Sequence, residues 1–109
     1  MKALSLLGFA QAAGHLISGY NGCLTTLRRG QCYLVVLATD ASPATKEKFI
    51  GAARGTPVII MSTKDDLGKA VGKPSRAVLC VREPQMAEAI ARAVNTTAME
   101  AEGANGRVT

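Results

Sequence analysis

Three unbroken apolar runs mark the chain, at 33–38, 57–61 and 77–81, each rich in Val, Leu or Ile. Runs of this length without polar alternation predict strands covered on both faces. Between them the apolar period lengthens to that of helices. Phe49, Ile50 and Ala53 follow Ser42, a capping residue, and Pro43, which suits a first helical position; Arg54-Gly55 stops that helix. Leu67, Ala70 and Val71 follow a capping pattern from Ser62 to Asp65, with Asp66 also in the first turn, and Gly72-Lys73-Pro74 ends the segment. Pro84 opens a last helix whose stripe is Ala87, Ile90, Ala91 and Val94. Upstream, Leu4, Leu7 and Ala10, with Leu6, Phe9 and Ala13, form two stripes on a first helix over 3–13, as expected of a helix packed on two sides. His15-Leu16-Ile17 reads as a brief extended segment able to pair at a sheet edge. Apolar strands alternating with helices predict an α/β protein, a sheet sandwiched between helical layers.

The remaining helix, over 19–29, is the most distinctive. Ser18 is placed to cap it, and Gly30 sits where a helix end favours a left-handed residue. Tyr20, Leu24 and Leu27 share one face; Asn21, Thr25 and Arg28 share another, which carries no carboxylate. Free N–H groups at a helix start, an Asn beside them and an Arg further along suit an anion. A solvated face explains the same residues without a ligand.

A length of 109 residues and an apolar content of 48% predict one core-forming domain. We place it at 1–96. Residues 97–109, mostly Thr, Ala, Glu, Gly and Asn, read as a flexible C-terminal tail. The net charge of +5 favours an anionic partner such as nucleic acid. With no Trp and four other aromatic residues, a binder that stacks base after base on aromatic rings is not expected.

Catalytic and metal-binding patterns are sparse. His15 is the single His, with no nucleophile elbow beside it, and Asp65-Asp66 is explained by a helix first turn. No Walker pattern is present, and no Gly-rich dinucleotide loop follows a strand. Gly19-Tyr20-Asn21-Gly22 matches the two-glycine loop of KH domains, a short pattern. Cys23, Cys32 and Cys80 form no C-x-x-C pair and lie among apolar residues, which predicts buried reduced thiols and no metal. The segment 3–10 with Ala10-Gln11-Ala12 resembles a minimal signal peptide. Its basic part is a single Lys, however, and cleavage would remove the first helix, so a cytoplasmic chain is expected. No apolar run reaches the length of a membrane span.

Four blocks, in order, resemble the kink-turn RNA-binding family of ribosomal proteins called L-seven-Ae, and especially its small bacterial YlxQ-like branch. They are 7–16 (LGFAQAAGHL), 18–30 with its spacing of first and last glycine, 34–42 ending in Asp-Ala-Ser, and 67–73 (LGKAVGK). The resemblance extends from about Leu6 to Ile90. It implies a three-layer α/β/α sandwich with a mixed four-stranded sheet. It also implies binding of the sharply bent RNA motif whose core is tandem sheared G·A pairs. The family's contacts come from the start of the second helix and the loop before the last strand. Carried over, these are Gly19, Asn21, Gly22, Thr25 and the loop after Val71.

This chain departs from the better-known RNA binders at Gly22 and Thr39, where those usually have Glu, and at Thr25, where they usually have Lys. Asn21 would read base edges, and the helix start would hold phosphate. Arg28, Lys46, Lys69, Lys73 and Arg76 would add charge. The expected protein is a non-catalytic binder of structured RNA, ribosomal or otherwise non-coding, with the ribosome as a partner and without cofactor or membrane. The alternative is a protein-interaction module that kept the fold and lost kink-turn binding.

Overall fold

A computed structural model describes residues 2–101. The order is α1 (Lys2–Ala12), β1 (Leu16–Ser18), α2 (Tyr20–Arg28), β2 (Leu34–Leu37), α3 (Pro43–Ala53), β3 (Val58–Ile60), α4 (Lys64–Ala70), β4 (Val78–Val81) and α5 (Pro84–Ala101). The four strands form one mixed sheet in the order β1-β4-β2-β3. β4 is antiparallel to both β1 and β2, with Cys80 opposite Ile17 and Val35, while β2 and β3 run parallel, Val36 opposite Ile59.

The alternating side chains of the central strands divide between two cores. Leu34, Val36, Leu79 and Val81 pack with Leu7 of α1, Leu67 of α4 and Ile90 of α5. Val35, Leu37, Val78 and Cys80 pack with Cys23, Leu24 and Leu27 of α2 and Phe49 of α3. Continuous apolar runs at 34–37 and 78–81 thus serve a sheet with helices on both faces, and all eight residues are buried. The expected three-layer sandwich is the observed one. Ala3, Leu7 and Ala10 are fully buried, so α1 is an integral wall of its layer.

Several local expectations need correction. The 57–61 run does not make a strand covered on both faces. β3 is an edge strand, its Val58 and Ile59 are half-buried, and Ile60 is 47% exposed. Composition signals an apolar strand, but edge or centre is set by the order in which the crossovers lay strands down. Along α3, Phe49 and Ala53 are buried while Ile50 between them is 53% exposed. The cap of α4 is Thr63, one residue later than the Ser62 frame; its hydroxyl accepts from the Asp66 N–H at 3.1 Å. Ser62 instead turns to a positive φ of 60°. Its carbonyl accepts from the N–H and the hydroxyl of Thr39.

The thiols also differ from expectation. Cys32 and Cys80 form a disulfide, their Cα atoms 5.8 Å apart, joining the segment before β2 to β4. The β2–β4 register brings them together across 48 residues, a relation that sequence spacing does not reveal. Cys23 is free and buried, and burial pushes its thiol pKa up to about 12. Helix α5 continues past the expected boundary at 96 to Ala101, and the rest of the expected tail, 102–109, lies outside the described residues.

Candidate functional site

The strand directions give the sheet two unlike ends. β1, β2 and β3 finish, and β4 begins, at the end where α2 starts; this is the entry end. α2 and α3 finish at the opposite, exit end, where β2 and β3 begin.

Gly19, not Ser18, caps α2. Ser18 is the last residue of β1, and Gly19 takes φ 98°, ψ 158° with no side-chain cap. That conformation is essentially restricted to glycine. The Gly19 N–H donates to the Val78 carbonyl at 3.1 Å, anchoring the turn to the start of β4. The first helical bond is from the Cys23 N–H to the Gly19 carbonyl. Among the described residues, the N–H groups of Tyr20, Asn21 and Gly22 have no acceptor. They carry the positive end of the helix dipole and face no acidic residue in their own first turn. The Asn21 side chain is exposed there. Tyr20 rests edge-on against Phe49, ring centroids 5.2 Å apart, which fixes the first turn to α3.

Gly22 has a packing reason as well. A Cβ there would meet Cγ2 of Ile17 at 3.0 Å, so the glycine lets α2 lie close on β1. Thr25 is exposed one turn beyond Asn21 on the same face.

The loop before β4 reaches the same end. Arg76 Nε donates to Ser18 Oγ at 3.1 Å, and its Nη1 donates to the Ser75 carbonyl at 3.1 Å. Its backbone N–H donates to the Lys64 carbonyl at 3.0 Å. The LGKAVGK block explains how this loop is held. Leu67 and Val71 are buried, and Gly72, at φ 71°, closes α4 with two bonds, Gly72 N–H to Lys69 O and Lys73 N–H to Gly68 O. Gly68 lies so close to the Pro74 carbonyl that no Cβ fits between them.

The loop after β2 closes the end. Lys46 Nζ donates to the Thr39 carbonyl at 2.8 Å, and Asp40 Oδ1 accepts from the Lys64 N–H at 2.8 Å, placing a carboxylate at the start of α4. The Thr39 hydroxyl, where the resemblance leads one to expect Glu, is bound to Ser62.

Of the expected site residues, Gly19, Asn21, Gly22, Lys46 and Arg76 therefore gather at or border the entry end, with Thr25 one turn along α2. Three do not join them. Lys73 follows Gly72 at the far end of α4, its N–H bound to the Gly68 carbonyl. Lys69 shares an open groove with Asp66 and with Leu4, Ser5 and Gly8 of α1, in the layer across the sheet from α2. Arg28, in the last turn of α2, lies at the exit end. Sequence spacing puts it on the Asn21 face, but seven residues of helix carry it about 10 Å along the axis. Ser18 and Asp40, which position the site, read in the sequence as a cap and a turn; only the fold links them to Arg76 and α4.

Among the described residues, no group of three or more His, Cys, Asp or Glu could hold a metal, and no helix is long and apolar enough to cross a membrane.

Comparison with known proteins yields consistent relatives. Residues 1–92 match the model described as the Ribosomal protein L7Ae/L30e/S12e/Gadd45 family. The chain is 30% identical over 77 residues to an RNA-binding protein YlxQ of Enterococcus faecium, covering 69% of this chain and 75% of that protein. It is 30% identical over 83 residues to the large ribosomal subunit protein eL8 of Thermoplasma volcanium, covering 73% and 69%. The solved structure of a Bacillus halodurans C protein of unknown function superposes with a TM-score of 0.83 at 32% identity, covering 86% of this chain and 97% of that one.

Proposed function

The chain belongs to the L7Ae/L30e/S12e/Gadd45 family of ribosomal proteins, and from that membership we propose that it is a non-catalytic binder of structured RNA that recognises kink-turn motifs through the entry end. The observation that carries this reading is the bare start of α2. Three N–H groups lie open behind a glycine cap, beside an exposed Asn21 and a loop tied to Ser18 through Arg76. Backbone donors and a helix dipole receive phosphate, and an amide can bond a base edge. A sharply bent backbone brings both to one small surface, which a straight duplex does not. Relatives named as an RNA-binding protein and as a ribosomal protein support RNA, and the ribosome, as the partner in the cytoplasm.

The test is titration of a kink-turn RNA and of a straight duplex of equal length against the protein at two salt concentrations. Tighter binding of the kink-turn, weakened by Asn21→Ala, is the expected result. Equal binding of the two RNAs would leave only charge attraction. Binding of neither would favour a protein-interaction module on the same fold.

A further inference from the structure

The exit end holds a feature that the kink-turn reading does not use. Between the ends of α2 and α3 lies a cavity of about 490 Å³, lined by Arg28, Gly30, Arg54 and Thr56 among others, with no carboxylate in its lining. Among the described residues, neither guanidinium has a hydrogen bond or ion pair with the protein. The negative ends of the α2 and α3 dipoles account for a cation at each place. They do not account for the backbone at Arg54. Helices α1, α2, α3 and α4 are each followed, two residues on, by a glycine at positive φ, Gly14, Gly30, Gly55 and Gly72. Of these four, α3 alone also holds the residue before that glycine left-handed, Arg54 at φ 45°. A side chain is held in a left-handed conformation where glycine would close the helix without strain. Three carbonyls at these helix ends are already paired. Leu27 O accepts from the Gly30 N–H, Thr26 O from the Gln31 N–H, and Ala53 O from the Thr56 N–H.

We propose that the Arg28–Arg54 cavity is a second phosphate site, gripping the RNA backbone in a stem that extends beyond the kink. The inference rests on the RNA reading above. Guanidinium forks suit phosphate oxygens, and two of them across one cavity can share a phosphodiester. RNA held at the entry end would then run along α2 to the exit end.

The test uses Arg54→Gly, Arg28→Gln and the charge control Arg92→Gln, on α5 in the other layer. Each is titrated with a kink-turn RNA of minimal stems and with one whose stem is a helical turn longer. Arg54→Gly relieves the left-handed strain, so its Tm should equal or exceed that of the wild type, and weaker binding cannot be ascribed to misfolding. The expected result is unchanged binding of the minimal RNA by all variants. On the long RNA, the slope of log K against log salt should fall by about 0.7–0.9 for each phosphate that the Arg28 and Arg54 variants no longer neutralise, with no change for Arg92→Gln. Slopes equal to the wild type on the long RNA, or an equal fall in Arg92→Gln, overturn the second site and leave the kink-turn reading standing. Wild type that binds neither RNA overturns both.

Discussion

The two ends of the sheet carry positive charge in different ways. At the entry end it is tied down: Lys46 is bound to the Thr39 carbonyl, Arg76 to Ser18 and Ser75, and the carboxylates of Asp40, Asp65 and Asp66 stand at the start of α4. What the entry end offers is geometry: open N–H groups, an amide and two glycines that bring backbone close. At the exit end, Arg28 and Arg54 border a cavity with no carboxylate, and Glu83, at the start of α5, is engaged by the N–H groups of Gln85 and Met86. Affinity that depends on geometry responds to changes of shape. Affinity that depends on loose charge responds to salt. Substitutions at the entry end should therefore disturb stability and selectivity, and those at the exit end the ionic part of binding.

The largest effect is expected at Gly68. An alanine there drives a methyl group into the Pro74 carbonyl, and backbone on one side and a packed helix on the other leave little room to relax. Gly68→Ala should cost about 3 kcal/mol in chemical denaturation and release the loop that carries Arg76. Gly19→Ala follows. Its Cβ would meet open space, so the cost is purely conformational, about 1–3 kcal/mol for a non-glycine residue in that backbone region. A Gly19→Ala protein as stable as the wild type would show that the start of α2 can take another conformation, and the contrast between the ends would weaken.

These two glycines also mark the limit of what sequence can tell. The layers and strand runs are legible because 3.6-residue and continuous apolar patterns are local, whereas the caps of α2 and α4 each fall one residue later than the sequence pattern places them. Pro43 behind Ser42 is a local signal too, and Ser42 does cap α3. Resemblance singles out Gly19 and Asn21, but not Ser18 as the acceptor for Arg76, 58 residues away. Cys32–Cys80 and the exposure of β3 likewise depend on strand order. Helical spacing groups Arg28 with Asn21 because it reports a shared face and says nothing of which end of the molecule each residue reaches.

Asn21→Ala separates recognition from stability at the entry end. The side chain is exposed, so the melting temperature should hold. Binding of a kink-turn RNA should weaken by about 1–3 kcal/mol, the worth of a good base-edge contact. An unchanged affinity would move recognition away from this helix start.

At the exit end, Glu83 supplies a pH test. Backbone N–H groups of Met86 and then Gln85 hold its carboxyl below the usual 4.5. A carboxyl whose folded pKa lies below its unfolded value stabilises the fold above the unfolded pKa. That contribution fades as pH falls from 4.5 through the lower folded value. In thermal melts, Glu83→Gln should lower Tm at neutral pH and draw level with the wild type in acid. A constant difference across that range would show that the carboxylate's charge is not what caps α5.

The smallest change asks whether the entry end can be given the exit end's character. Thr25 is exposed one turn from Asn21, and Lys there adds a mobile charge without altering the backbone. Lys is the better helix former by about 0.4 kcal/mol. Its repulsion from Arg29, four residues on, costs about 0.2–0.5 kcal/mol, so stability should barely move. If RNA backbone passes over this face, Thr25→Lys gains one phosphate contact and steepens the salt slope by about one ion. The gain should be largest at low salt, and it should appear for the kink-turn RNA more than for a straight duplex, because the bend holds phosphate beside α2. An equal gain on both RNAs would mean that the added charge attracts any nucleic acid, with the geometry of the entry end playing no part in choosing between them.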